Sequence, residues 1–387
     1  MKLLRITTVP ISLDLLLTNQ MAFMKSKGFD VLMVSSNGPE LSKIITREGC
    51  KHITIPFTRQ ITPFKDLLCL IRLIDLIIKE KPDIVHSHTP KAGLLAMLAA
   101  KICRVKLRLH TVAGLPLMTA SGFRKRLLIY MEKLTVWASH KTLLNSSSLR
   151  TYMINEGLAD KNKLEIISKG STNGIDLHRF SRAQLDPVIL DELKSLINYQ
   201  KDKSYLLCVG RMVRDKGIVE VVDAFTKLEA KRPQLNLILI GPMERVRKEE
   251  LLPQRILDKI MKNPAITHLE WSDQVEYFLA LADVFIQASH REGFPNVTLQ
   301  AGAMECPIVC SDIPGNIDIV TDQKTGYYFK KGDIADMIDK INQVIDDKEK
   351  SLNMSRSLRT EVETFFDQDF IHQEIYNYYQ QQLANSQ

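Results

Sequence analysis

The sequence predicts an α/β protein of two doubly wound domains. Apolar runs alternate with stretches of helical spacing, the pattern restarts near Ser204, and 387 residues leave room for two or three full cores. "KLLRITTVP" (Lys2 to Pro10) reads as a strand entering a loop, and Leu13, Leu16, Leu17, Met21 and Met24 then follow helical spacing. "FDVLMVSS" (Phe29 to Ser36) is the next strand. "LLCLIRLIDLII" (Leu67 to Ile78) has the spacing of an amphipathic helix. Broken by Arg72 and Asp75, it falls short of the roughly 20 apolar residues that span a bilayer. "PDIVHSH" (Pro82 to His88) is a later strand that ends in polar residues.

The second round opens with "SYLLCVGRM" (Ser204 to Met212), again a strand entering a loop, and Val221, Phe225 and Leu228 share one helix face. "LNLILIGP" (Leu235 to Pro242), "ITHLEW" (Ile266 to Trp271), "DVFIQAS" (Asp283 to Ser289) and "PIVCSD" (Pro307 to Asp312) complete the strands. Near-continuous apolar strands separated by helices indicate parallel sheets covered on both faces. The expected domains are residues 1–180, joined by a final helix from about 367, and residues 181–366, with the link near 175–203. Ligands of such sheets bind beyond the carboxyl ends of the strands, so two facing domains are expected to hold the site in the cleft between them.

The charge is uneven. Residues 1–180 contain 27 Lys and Arg against 13 Asp and Glu, and the remainder contains 25 against 32. A basic half points to an anionic partner such as nucleic acid, a phospholipid surface or a polyphosphate. It lacks any recognised nucleic-acid motif, which argues against the first. Cys50, Cys69, Cys103, Cys208, Cys306 and Cys310 form no CxxC pair and read as free thiols of a reducing compartment. No signal peptide is visible in "MKLLRITTVPIS", since Asp14 follows without a small-residue cleavage site, and a cytoplasmic location is expected.

Two loops carry the chemistry. "VGRMVRDKG" (Val209 to Gly217) ends a strand and opens a helix. Gly210 permits close backbone approach, Arg211 supplies a planar fork of donors, and Lys216 adds a point charge at the helix start. Two cations beside a helix N-terminus suit a diphosphate. Neither a Walker P-loop nor GxGxxG is present. "HREGFPNVTLQAGA" (His290 to Ala303) follows another strand, and its helix is expected to start near Asn296 or Val297. Its free N–H groups can meet a phosphate, and Glu292 lies in the loop before it.

These two stretches together resemble the retaining GT-B glycosyltransferases of family four, the glycosyl transferases of group 1. The family has a G-R-x5-K-type loop followed by E-x7-E. "TTVPISL", "HSHTPKAG", "HTVAGLP" and "SDIPGN" further resemble members that build bacterial capsule, O-antigen and exopolysaccharide on polyprenyl diphosphate carriers. The resemblance covers essentially the whole chain and implies two Rossmann-like domains. Arg211 and Lys216 would neutralise the diphosphate of a UDP-sugar and stabilise the departing UDP. Glu292 would hydrogen-bond the transferred hexose or N-acetylhexosamine. The backbone around Phe294, Pro295, Asn296 and Val297 would line sugar and phosphates, Trp271 would flank the base, and position 300 would hold the ribose. Transfer would retain the anomeric configuration and need no metal or other cofactor.

The chain departs from the pattern at three places. Gln300 replaces the second glutamate. It can accept one hydrogen bond and donate another, and the lost charge assistance costs roughly 1–1.5 kcal/mol, about tenfold in donor affinity. The first loop "TTVPIS" has no glycine. The histidine of T-x-H-G is Ala113 here, so His88 or His110 is expected to contact donor sugar or acceptor. His86 and His88 are expected to face opposite ways on their strand, which argues against a chelated metal. "DQD" (Asp367 to Asp369) reads as a surface turn or helix start. The basic and apolar run "SGFRKRLLIYMEKLTVWASHK" (Ser121 to Lys141) suits either an anionic membrane surface, at the cytoplasmic face of the inner membrane, or a helix whose apolar positions face the core. The competing readings are a GT-B-like UDP-sugar epimerase and a non-catalytic partner in a polysaccharide assembly complex.

Overall fold

The computed structural model describes residues 1–385. The chain forms two compact units, one of Met1–Gly174 with the chain from Gln368 onward, the other of Ile175–Asp367. The first unit holds strands β1 (Lys2–Ile6), β2 (Asp30–Ser35), β3 (Lys51–Thr54), β4 (Ile84–His88), β5 (Leu107–Val112), β6 (Lys141–Leu144) and β7 (Leu164–Ile166). They pair in the order β3-β2-β1-β4-β5-β6-β7, all parallel. The order reverses between β1 and β4, where Arg5 and His86 are register partners.

Both faces of this sheet are buried. Leu4, Ile6 and Val85 point to helices Pro63–Glu80 and Pro90–Ile102, through Leu73, Ile77, Ala92 and Ala96. Leu3, Met33, Ile84 and Leu109 point the other way, to Leu13, Leu17 and Met21 and to Ile371, Ile375 and Tyr379 of the final helix Gln368–Ala384. "DQD" leads into that helix: Asp367 pairs with Ile175 in an isolated bridge, and Gln368 is the first helical residue.

The second unit holds β8 (Ser204–Val209), β9 (Leu235–Ile240), β10 (Ile266–Leu269), β11 (Val284–Gln287), β12 (Ile308–Ser311) and β13 (Tyr327–Phe329). Their order is β10-β9-β8-β11-β12-β13, again parallel, with the reversal between β8 and β11. Leu207 and Phe285 face one core, with Phe278 and Leu299, while Leu206 and Val284 face the other, with Val221 and Phe225. Ile175 donates its N–H to Phe366 at 2.7 Å, and Phe180 lies in the first of these cores. The second unit therefore begins before the residue 181 that the sequence suggests.

A polar network crosses the first unit. The Arg5 guanidinium is buried and meets His86 Nδ1 at 2.6 Å, the Tyr379 hydroxyl and the Gln20 side-chain oxygen. The Gln20 amide donates to Thr172 O and Asn173 Oδ1, both at 3.0 Å, and Asn173 Oδ1 lies 2.8 Å from His372 Nε2. One cation thus links β1, β4, helix Gln20–Ser26 and the final helix through neutral acceptors, with no carboxylate among these contacts. Buried charge is costly unless its hydrogen bonds are met; both terminal nitrogens of Arg5 are bonded, and Nε has no partner among the described residues.

Burial holds several histidines neutral. It lowers His86 and His88 well below the ordinary value, His110 to about 4 and His372 to about 3. Their folded pKa values are depressed, so their stabilising contribution is present above the unfolded value near 6.5 and is lost as pH falls below it. Each can remove up to about 1.4 kcal/mol per pH unit in that range. Urea unfolding followed by circular dichroism should show a clear drop in midpoint between pH 7 and pH 5. A flat midpoint would contradict the neutral assignment.

Candidate active site

The reversal of strand order in the second sheet brings two loops together. Gly210 follows β8 with φ +152°, and the chain then closes a short turn at Arg214–Lys216 before helix Ile218–Glu229. Gly217 caps that helix with φ +70°, and a Cβ there would lie 2.1 Å from the Ala288 carbonyl oxygen. Only glycine lets the turn press against the chain just beyond β11.

Past β11 the chain runs through Ser289 and His290 to Glu292. The Lys216 ammonium donates to Glu292 Oε1 at 2.5 Å. The same oxygen accepts from the Ser289 hydroxyl at 2.6 Å and the Gln287 amide at 2.9 Å, and both donors are buried. Glu292 Oε2 takes none of these three bonds. Sequence reasoning missed Gln287 and Ser289; the signal was present as polar residues ending an otherwise apolar strand. Outer ties hold the loop as well. His290 N–H donates to Asp215 O at 2.8 Å, Arg291 Nε to Asp215 at 3.0 Å, and the His290 ring lies 3.0 Å from Glu220. That hydrogen bond to Glu220 raises the His290 pKa.

Arg211 is engaged too. Its guanidinium meets Glu250 Oε2 at 2.6 Å and lies 3.8 Å from Glu244, and Arg247 holds the other Glu250 oxygen at 2.7 Å. The segment between β9 and helix Gln254–Lys262 therefore supplies counter-ions that the sequence reading did not foresee.

Helix Asn296–Ala303 starts at the earlier of the two expected residues, after Pro295 in extended conformation, and no side chain caps it. Asn296, Val297 and Gln300 are half-buried on this helix. Phe294 turns inward: its ring lies 5.4 Å from that of Phe366 in the unit's core, so only its backbone can line a ligand. Trp271 follows β10, exposed, with its indole N–H 3.2 Å from Asp273 Oδ1.

In the first unit the edge beyond β1 and β4 is closed by Thr8 and Thr89, whose hydroxyls are 2.7 Å apart, with Thr89 at φ +71°. His110 on β5 is buried, with Nδ1 3.0 Å from the Ser87 hydroxyl. A Cβ on Gly93 would come within 2.2 Å of its ring. His110 is thus sealed beneath helix Pro90–Ile102, and we assign it to packing in place of the expected sugar contact. His86 and His88 share one face, their rings stacked with centroids 4.5 Å apart. The expectation of opposite faces was an error: residues two apart in a strand point the same way, and Ser87 between them points to the other. Opposite faces therefore give no ground against a shared metal. His86 has no nitrogen to spare, however, since Nδ1 meets Arg5 and Tyr379 and Nε2 lies 2.7 Å from Thr111. His88 is buried with neither ring nitrogen partnered among the described residues.

Comparison with known proteins decides the family. Residues 191–360 match the family described as glycosyl transferases group 1, and residues 10–147 match glycosyl transferase 4-like. The capsular polysaccharide biosynthesis glycosyltransferase CapM of Staphylococcus aureus is 34% identical over 100% of this chain and 98% of its own. The chain belongs to the group 1 glycosyltransferases. An Escherichia coli relative, UDP-Gal:alpha-D-GlcNAc-diphosphoundecaprenol alpha-1,3-galactosyltransferase, is 26% identical over 88% of this chain and 86% of its own. The crystal structure of Anabaena Alr3699/HepE in complex with UDP-glucose superposes with TM-score 0.80 at 16% identity, over 98% of this chain and 100% of that one. That likeness places this glycosyltransferase in the GT-B fold.

The glycosyltransferase thus sets Arg211, Lys216 and Glu292 around the reversal point of its second sheet, beside an uncapped helix start. Cations there can meet anionic oxygens, and Glu292 Oε2 can accept from a hydroxyl. Gly217→Ala tests the scaffold. The Cβ clash and the left-handed conformation should cost about 2 kcal/mol or more, read as a lower urea midpoint. An unchanged midpoint would mean that the turn does not press on Ala288.

Proposed function

We propose that this glycosyltransferase moves a hexose or N-acetylhexosamine from a UDP-sugar to a saccharide carried on polyprenyl diphosphate, with retention of configuration and without a metal. The product serves synthesis of a bacterial surface polysaccharide. The observation that carries the reading is the Lys216–Glu292 pair across the reversal point of the second sheet, with Arg211 on the same loop as Lys216 just past β8. The activities of the CapM and E. coli relatives support the capsule-type product, the UDP donor and the lipid-linked acceptor.

In this reading the diphosphate displaces Glu250 from Arg211 and draws on Lys216. The bond from the sugar C1 to the UDP oxygen breaks first, and both cations stabilise the charge that collects on the phosphate. An acceptor hydroxyl attacks from the face that UDP leaves and passes its proton to the departing phosphate oxygen. Glu292, locked through Oε1, presents Oε2 to a hydroxyl of the transferred sugar. Gln300 holds the ribose and Trp271 flanks the base. A lipid-linked acceptor places the basic first unit at an anionic membrane surface, on the cytoplasmic side where UDP-sugars are made.

Calorimetric titration without metal tests the site. UDP should bind, GDP more weakly, and Arg211→Ala should lose about tenfold or more in affinity. Glu250→Gln should tighten UDP about threefold to tenfold, because the diphosphate no longer competes with a carboxylate. Gln300→Glu should tighten it about tenfold, and no gain would remove the ribose assignment. If neither nucleotide binds up to millimolar concentration, the transferase reading fails and a non-catalytic role replaces it. Sugar interconversion without an acceptor would point to an epimerase.

A further inference from the structure

Helix Pro63–Glu80 is apolar on two sides. Cys69, Leu73, Leu76 and Ile77 face the first sheet. On the outer side Phe64 is 92% exposed, Leu67 56%, Leu68 45% and Ile71 55%. Spacings of three and four place these residues on one stripe over the first two turns. A surface helix ordinarily keeps its outer face polar, and a contiguous apolar patch marks an interaction site. Asp75 stands on the same stripe and ends the run, with Ile78 exposed beyond it.

We infer that the N-terminal half of this helix docks the protein on an anionic membrane, with Phe64, Leu67, Leu68 and Ile71 entering the acyl boundary. The inference rests on the lipid-linked acceptor proposed above and names the element that meets the lipid. Charge selects the occupant. Lys65 and Arg72 are exposed beside the stripe, while Asp66 is withdrawn into an ion pair with Lys91 at 2.7 Å. The sequence to residue 180 carries 27 basic against 13 acidic residues. Such an excess attracts anionic headgroups and repels the same face of a second copy.

The position fits delivery of a lipid-borne substrate. Lys91, in the first turn of helix Pro90–Ile102, also donates to the hydroxyls of Thr58 at 2.9 Å and Thr62 at 3.3 Å. It thereby pins the start of helix Pro63–Glu80 beside the carboxyl end of β4, where Thr8 and Thr89 meet. The patch and the ligand-binding edge of the first sheet are thus neighbours. Helix Gly122–Ala138 also packs on Pro90–Ile102, and Phe123, Tyr130 and Trp137 on it are exposed.

The test is flotation with vesicles of phosphatidylglycerol and phosphatidylethanolamine, in low and high salt, against vesicles of phosphatidylcholine. The full chain should float with the anionic vesicles. A variant carrying Phe64→Ser, Leu67→Ser and Ile71→Ser should lose about tenfold or more in partitioning at either salt. Its UDP affinity should stay unchanged, which shows that the chain is folded. Wild type and variant floating equally would overturn the assignment to this helix while leaving membrane contact intact. No flotation of the wild type at low salt would overturn membrane contact itself. A shift from dimer to monomer in the variant, without change in flotation, would make the patch a subunit interface and overturn the inference.

Discussion

A parallel sheet covered on both faces leaves polar side chains only one place to gather, beyond the ends of its strands. The second unit obeys that constraint, whereas the first also buries Arg5 and His86 along its strands. Along β8 and β11 residues alternate between two apolar cores, and the chain leaves the strands just before Gly210 and Ser289. Strand order reverses at that pair, so the loops diverge and open a crevice between them. Lys216 and Glu292 meet across it although they are far apart in sequence, while Arg211 turns to Glu250. Each residue's chemistry is ordinary; the topology makes it a constellation.

The two buried or half-buried cation systems contrast. Arg211 and Lys216 are met by carboxylates, in an exposed or half-buried setting where an arriving anion can exchange with them. Arg5 is fully enclosed and met by a histidine, a tyrosine and a glutamine. Neutral partners keep it solvated without a counter-ion, and they span elements that no apolar contact alone would index. The first arrangement is replaceable by ligand; the second fixes the final helix in register.

Much of this was legible in the sequence. The strands β1, β2, β4, β8, β9, β10, β11 and β12 announced themselves as apolar runs, and the G-R and E-G-F-P loops stood at their ends. Short strands such as β3, β7 and β13 carried too few residues for a pattern. The Lys216–Glu292 pair was visible only as two separate motifs, because pairing across a reversal point is a property of strand order. Glu250 escaped notice since nothing local marks it as a partner of Arg211. The histidines misled most. His110 looks like a site residue by type, but its environment is set by Gly93 on a helix that the strand pattern does not reveal, and the period of two was misapplied to His86 and His88.

Gly93 and His110 also constrain how this chain can change. The ring occupies the space that a Cβ at position 93 would need, so the two positions share one volume. A side chain at 93 becomes admissible only once the residue at 110 has shrunk. Shrinking 110 alone strands the Ser87 hydroxyl and leaves a void. Either single step is a loss and the double step recovers part of it, so the effects of the two substitutions are not additive. Relatives of this chain should therefore have crossed between the two solutions rarely, and together.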